Sequence, residues 1–335
     1  MNLSKKCSQK SIPKLSVMNK NRIVNFYLHT IKYLRSLRYF GAHYTCIIIL
    51  EKIFTSRKYE INIIHKKNAL IMNYLLKKYK YVIDEFKEKT NKGVIQENGN
   101  IWVCWWQGEK NAPEIIKKCL ALIRKNAGDH TVVFIDKNNY KEYAYIPSYI
   151  IKKFEAGVIT ITHFSDILRT ALLYEHGGLW IDSTVFVSKQ IPNCIFKTHL
   201  FSQKENEKEF IAKRRWATFI IGGSKGSIIF DFTRKILFEY WKTENELINY
   251  FLIDYCIAIG YDSVPEIKLL VDKIPLNNPQ TYGLHQLLNN PFNQQIFDNL
   301  LKDTIFHKLN WKGNFVRYTV DGHKTFYEHM LSDLQ

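Results

Sequence analysis

Ser165-Asp-Ile-Leu-Arg-Thr-Ala-Leu-Leu-Tyr-Glu-His-Gly-Gly-Leu-Trp-Ile-Asp-Ser-Thr184 reads as one helix, one turn and one strand, with polar residues at both mouths and apolar residues between. Ser165 is an expected N-cap. Asp166 and Arg169 stand three apart, so their side chains leave the first turn on nearly the same side. Gly177-Gly178 ends the helix. Leu179, Trp180 and Ile181 then form a short buried strand whose end delivers Asp182, where an open α/β sheet presents its ligand-binding groups. Twenty residues thus aim Asp166, Arg169 and Asp182 at one crevice.

The same grammar continues on either side. Ile101 to Trp105 is an apolar strand, Pro113 opens a helix running to Asn126, and Thr131 to Ile135 is a second strand. Pro147 to Phe154 begins another helix, and a short Val158 to Thr162 strand follows Gly157. Strand and helix alternating at this spacing predict a mostly parallel sheet flanked by helices, an α/β fold. Beyond Pro192 helices are expected at Ser227 to Trp241 and Glu244 to Ile259. No internal repeat is visible.

The segment from Ser165 to Thr184 resembles the core of glycosyltransferases that share a DXD-type sugar-binding region, and most closely their bacterial capsular polysaccharide synthesis branch. The shared pattern is carried by Ser165, Asp166, Arg169, Gly177, Gly178, Trp180 and Asp182. Ile101 to Pro113 resembles that family's first strand and nucleotide-binding loop, and Phe306-His-Lys-Leu-Asn-Trp-Lys312 its C-terminal closing motif. The matches span roughly residues 99 to 315. With the alternation above, the resemblance implies a GT-A-type, Rossmann-like domain over residues 96–335, behind a basic helical region over 1–95.

The resemblance also implies roles. Asp166 and Arg169 approach the sugar and phosphate of a nucleotide-sugar donor, and Ser165 belongs to the same helix mouth. Trp105, Trp106, Gln107 and Gly108 floor the donor site, with Trp180 beside Asp182; Lys308, Trp311 and Lys312 close it. In the family's strand-end motif a second carboxylate holds a divalent metal, Mn2+ or Mg2+, on the diphosphate; here that position is Thr184. A hydroxyl is a poorer ligand than a carboxylate for a hard cation, so Asp182, Thr184 and His307 form the implied metal set with one strong member. Transfer with retention of anomeric configuration is implied too, without a nucleophile that the sequence names. The chemistry suits these residue types: an oxocarbenium-like sugar and a departing diphosphate call for carboxylates on hydroxyls and cations on phosphate. Arg169 ranks above the lysines because its planar fork matches phosphate oxygens.

Further residues have two readings each. Trp105 and Trp106 divide between core and base contact. Trp180 lies in the pocket or in the core, and Asp136 is a ribose contact or an ordinary turn residue. His163 and His176 are expected to cap or face solvent, whereas His307 is expected to reach the diphosphate or metal. Asp254 is a carboxylate in the otherwise apolar Tyr250 to Tyr255 run, which costs free energy unless it has a partner or a task. It either activates the acceptor hydroxyl or pairs with a basic side chain.

Composition bounds the rest. The 335 residues are 46% hydrophobic and 14% aromatic, enough to build a large core. Residues 1–95 carry a balance of +15 and residues 96–335 only +2, so the basic character belongs to the N-terminal region. Residues 1–20 are expected to be disordered. Arg22 to Phe54 reads as amphipathic helix broken near Gly41, with Lys32, Arg35 and Arg38 between apolar positions, and residues 68–90 as a further helix. That stripe packs on the catalytic domain, lies on an anionic membrane surface, or does both. Six scattered cysteines without Cys-x-x-Cys spacing argue against a zinc site or disulfide framework. No run of eighteen apolar residues and no signal-peptide core is present, so a cytoplasmic place, peripheral on the membrane's inner face, is expected.

The expected partners are a nucleotide-sugar donor and a glycan or lipid-linked acceptor. A toxin-like transferase acting on a protein is the second reading, against which stands the lack of separate delivery domains. A nucleic-acid arm is the third; the apolar stripe among its charges argues against it, and no nucleic-acid partner is expected.

Overall fold

The computed structural model describes residues 15–53, 57–204 and 211–332, with side chains described over 30–53, 61–204 and 211–332. The chain divides into two compact units at Leu70–Ile71. Residues 1–14 of the N-terminal stretch expected to be disordered lie outside the described residues.

In the first unit, α1 (Leu15–Ile53) carries a break at Gly41, whose φ of 83° and ψ of 174° leave the helical region. Glycine suits this site because an L side chain rarely adopts that φ. Thr45 Oγ1 donates to the Gly41 carbonyl across the break at 3.0 Å. The helix expected from Arg22 starts earlier, at Leu15, so residues 15–20 are helical where disorder was expected, and it bends where the sequence reading placed the bend. α2 (Arg57–Lys78) follows and crosses the unit boundary.

The second unit begins with the end of α2 and α3 (Lys80–Phe86), separated by Tyr79. β1 (Ile101–Cys104), α4 (Glu114–Lys125), β2 (Val132–Ile135), α5 (Tyr140–Tyr143), α6 (Ser148–Glu155), α7 (Ile161–His176) and β3 (Gly178–Ile181) follow. β4 (Val185–Val187), β5 (Leu200–Ser202) and β6 (Ile220–Gly223) come next, then α8 (Ile228–Thr243), α9 (Leu252–Ser263) and α10 (Pro265–Asp272). α11 (Gly283–Leu287), α12 (Gln294–Lys302), β7 (Phe306–Lys308) and α13 (Phe326–Ser332) complete the order.

The main sheet runs β2-β1-β3-β6-β5. β1 is parallel to β2 and β3, β3 is antiparallel to β6, and β6 is antiparallel to β5. Only β6 therefore opposes the common direction, and the mostly parallel α/β sheet flanked by helices stands as expected. Side-chain alternation sorts its faces. Ile101, Val103, Leu179 and Ile181 pack with Leu120 and Ile123 of α4. Trp102 and its register partner Trp180 point the other way. There Trp102 Nε1 donates to the Gly177 carbonyl at 2.8 Å, which ties the end of α7 to the sheet. A second, two-stranded sheet pairs β4 with β7, Val185 opposite Lys308. α7, α8 and α9 pack on one another in sequence.

Three local expectations are corrected. The Val158 to Thr162 strand is absent: Thr160 is the N-cap of α7 and its side chain accepts from the His163 amide. Ser165 is therefore inside the helix, where its hydroxyl donates to the Thr162 carbonyl at 2.7 Å. Phe164 and Ile161 share the spacing of Leu168, so the apolar face starts a turn before Ser165. The helix expected over Glu244 to Ile259 forms only from Leu252, with Phe251 as its N-cap.

Candidate functional site

β3 and α7 meet at Gly177-Gly178, with φ of 68° and 89°. A Cβ on Gly178 would stand 2.2 Å from the Asn100 carbonyl oxygen, so glycine is what lets β3 lie against the segment entering β1. From this junction α7 runs back along the sheet and β3 runs forward. Asp182, just past the strand, thus faces Asp166 and Arg169 on the helix.

The Arg169 guanidinium stands between the two carboxylates. One terminal nitrogen is 3.0 Å from Asp182 Oδ1 and the other 3.3 Å from Asp166 Oδ1. Its plane lies over the Trp180 ring, 4.8 Å from the centroid. Trp180 is buried, and its Nε1 donates to Asp182 Oδ1 at 2.8 Å, so the core and pocket readings of this residue both hold. On the far side, Lys308 Nζ donates to Asp182 Oδ2 and to Thr184 Oγ1, each at 2.7 Å. Burial would raise the Asp182 carboxyl, but the charges of Lys308 and Arg169, with bonds from Lys308 and Trp180, hold it below its ordinary value.

Lys308 reaches this place because β7 pairs with β4. The Leu309 amide donates to the Thr184 carbonyl at 2.9 Å, so the closing segment is tied by backbone to the strand end. Alternation along β7 then turns His307 away from Lys308. His307 is fully buried against Phe186, its ring lowered to about 4 by burial, and it is absent from the cleft wall. The expectation that His307 reaches a diphosphate or metal is corrected.

A cleft of about 740 Å3 opens above this chain of charges. Trp105, Trp106, Gln107, Ser165, Asp166, Arg169, Trp180, Asp182, Thr184, Lys308, Trp311, Lys312 and Asp254 all line it; Gly108 does not. Trp105 meets Trp311 edge-on at 5.4 Å between centroids, which joins the floor to the closing segment. Trp106 sits among Tyr140, Phe154 and Phe164, while Trp105 packs against the core cluster that holds Ile115 and Leu309; both are half-buried, so neither divides off as the core member. Gly108 instead takes φ 84° in the turn beside Asp136. Asp136 is a turn residue, its Oδ1 accepting from the Asn138 amide at 2.7 Å.

His163 is neither a cap nor solvent-facing. Its buried ring accepts from Trp241 Nε1 at 2.8 Å, which leaves the proton of the neutral ring on Nδ1, 3.5 Å from Asp166 Oδ2. His176 bonds the Tyr143 carbonyl at 2.6 Å. Asp254 is buried in the first turn of α9, and its partner is an indole: Trp216 Nε1 donates to Oδ1 at 2.9 Å. Burial, reinforced by Asp166, pushes its carboxyl up to about 7 against the pull of Trp216. Cys104 also lines the cleft, with its thiol pushed up to about 12 by burial and by Asp182, so it is a poor nucleophile.

Thr218, Phe219, Tyr250 and Phe251 line the cleft and were missed in the sequence. Phe219 supplies the carbonyl that the Asp182 amide bonds at 2.8 Å, a backbone role that leaves no mark on residue type. Tyr250 and Phe251 are an exposed edge-to-face pair at the rim, legible as adjacent aromatics ahead of a buried carboxylate.

A curated relative, the O-glycosyltransferase braB of Annulohypoxylon truncatum, is 24% identical over 106 residues, which is 29% of this chain and 25% of that protein. Among solved structures, the WbbM bifunctional glycosyltransferase in its apo form is similar at 9% identity and a TM-score of 0.38, covering 73% of this chain and 51% of that one. The PaToxG glycosyltransferase gives 16% identity and a TM-score of 0.35, covering 72% and 94%. The chain spans about a quarter of the curated relative and about half of the first of these structures. The model of the capsular polysaccharide synthesis proteins matches residues 51–330, and the chain belongs to that family.

Proposed function

We propose that the protein is a glycosyltransferase that moves a sugar from a nucleoside-diphosphate donor to a glycan or lipid-linked glycan in bacterial capsular or surface polysaccharide synthesis. The observation that carries this reading is the unbroken line Asp166, Arg169, Asp182, Lys308 at the base of an aromatic-walled cleft. Carboxylates suit sugar hydroxyls and cations suit a leaving diphosphate, and both are preorganised. Arg169, with only 5% of its side-chain surface exposed, sets the two carboxylates, while Lys308 at 23% is the cation open to phosphate. This reverses the order expected from guanidinium geometry alone. Lys312, exposed beside Trp311, is a second phosphate contact from the closing segment.

Asp254 also lines the cleft, on the first turn of the helix that follows Tyr250–Phe251. A carboxylate whose charged form is disfavoured by burial is a stronger base, and it takes the proton of the acceptor hydroxyl as the new glycosidic bond forms. The resemblance to capsule synthesis proteins supports retention at the anomeric carbon, which the anomeric coupling of the product reports. The kinked, basic α1 supports a peripheral place on an anionic membrane, where lipid-linked acceptors reside.

Labelled-donor assays with glycan, lipid-linked glycan and protein acceptors test the reading. Asp182→Asn keeps the shape but removes the charge that holds Arg169 and Lys308. Its transfer rate is expected to fall at least a hundredfold with melting little changed; wild-type rates in that variant would refute the assignment.

A further inference from the structure

The place that a divalent metal is expected to take beside Asp182 is filled by a side chain of the protein. Asp182 has two carboxylate oxygens, and both are engaged: Oδ1 by Arg169 and Trp180, Oδ2 by Lys308. The Thr184 hydroxyl, at the position of the missing second carboxylate, accepts from the same ammonium. His307, the remaining implied ligand, is buried outside the cleft wall. Among the described residues no group of three or more His, Cys, Asp or Glu could hold a metal ion. A hard cation wants several oxygens, carboxylates among them, and one carboxylate already shared among three donors does not offer that. Asp166, the nearest further carboxylate, is turned to Arg169 and faces His163. The residues present do not fit the metal.

We infer that Lys308 stands in for the cation, so that the protein binds the diphosphate of its donor without a divalent metal. The inference rests on the transferase reading and deepens it. An ammonium has three N–H donors, and Asp182 with Thr184 takes two, leaving the third for a phosphate oxygen. The Phe219 ring lies 5.1 Å below the nitrogen and favours its charge. The strand end and the closing segment are joined here through one proton-rich nitrogen, where the family pattern has carboxylates around an ion. On departure the nucleoside diphosphate takes the electron pair of the breaking sugar–oxygen bond, and Lys308, with Lys312, faces the charge that develops.

Isothermal titration of the full chain with uridine, guanosine, thymidine, cytidine and adenosine diphosphates, in excess EDTA and again in Mn2+, tests this directly. The expected result is a diphosphate whose Kd agrees within about threefold between the two buffers. Lys308→Met is expected to weaken that Kd at least tenfold, Lys308→Arg to recover part of the loss, and Thr184→Val to weaken it severalfold. The Val variant keeps the ammonium and so remains informative if the Met variant does not fold. Binding that appears only with Mn2+ overturns the inference and leaves the transferase reading standing. Unchanged affinity in folded Lys308→Met overturns it as well. If none of the diphosphates binds in either buffer, the inference and the transferase reading fall together.

Discussion

Asp254 is a carboxylate whose task opposes its comfort. Its carboxyl is pushed up to about 7 by burial, with Trp216 as its hydrogen-bond donor. Between the ordinary carboxylate range and about pH 7 the unfolded chain has released this proton and the native state has kept it. Native stability therefore falls as pH rises through that window, by up to ~4 kcal/mol at saturation. Asp254→Asn removes this loss and keeps an acceptor for Trp216. Thermal denaturation is expected to show the variant more stable than wild type at pH 8 and equal to it below pH 4. Transfer by wild type is expected to decline below about pH 7 as the base is protonated, and the variant is expected to lose at least tenfold at pH 8. Equal melting at both pH values would contradict a raised Asp254. The sequence exposed this residue through its apolar neighbours, but its partner was hidden: an indole 38 positions earlier was not in the set of basic side chains expected for it.

Among the elements, the three parallel strands were legible because strands covered on both faces are continuous apolar runs. β5, β6, β4 and β7 were not, since no strand-helix alternation frames them after Asp182, and β6 is half glycine. Those glycines have a reason. Gly178 stands opposite Gly223 and Leu179 opposite Gly222 in the β3–β6 pairing. A Cβ on Gly222 would lie 2.3 Å from the Gly178 carbonyl oxygen. The dipeptides Gly177-Gly178 and Gly222-Gly223 are thus one feature, a close crossing of strands that brings Asp182 under the Phe219 carbonyl. Gly178→Ala combines an unfavourable φ with a backbone clash and is expected to cost ~3 kcal/mol or more. Urea denaturation reads that cost, and a variant within 0.5 kcal/mol of wild type, roughly the scatter of neutral surface changes, would remove the argument.

At the scale of the molecule the charge is uneven, +15 in residues 1–95 and +2 in the remainder. Within α1, Leu34 and Leu37 are 61% and 48% exposed, with Arg35 and Arg38 beside them in sequence. Among the described residues no helix is long and apolar enough to cross a membrane. Surface attachment combines an apolar insertion with attraction to anionic headgroups, and only the second part is screened by salt. The full chain is expected to co-sediment with vesicles containing 30% phosphatidylglycerol, a composition of about that value being enough to set up the surface potential, and to dissociate largely as NaCl rises from 0.05 to about 0.5 M. Equal binding to neutral vesicles would exclude the electrostatic part. The charge imbalance is legible from composition alone, whereas the cleft needed two segments over a hundred residues apart to be joined.

That joining has a consequence for how the site comes into being. Lys308 meets Asp182 across 126 positions of chain, through a β4–β7 ladder that closes last in sequence order. Contacts of such separation carry the largest loop-closure entropy and tend to form late in folding. On the ribosome, the Asp166, Arg169 and Asp182 cluster can be assembled while β7 is still inside the exit tunnel, leaving a net negative pocket without its counter-cation. A chain ending before β7 would lack both Lys308 and the backbone tie of Leu309 to Thr184, and Asp182 would keep only Arg169 and Trp180 as donors.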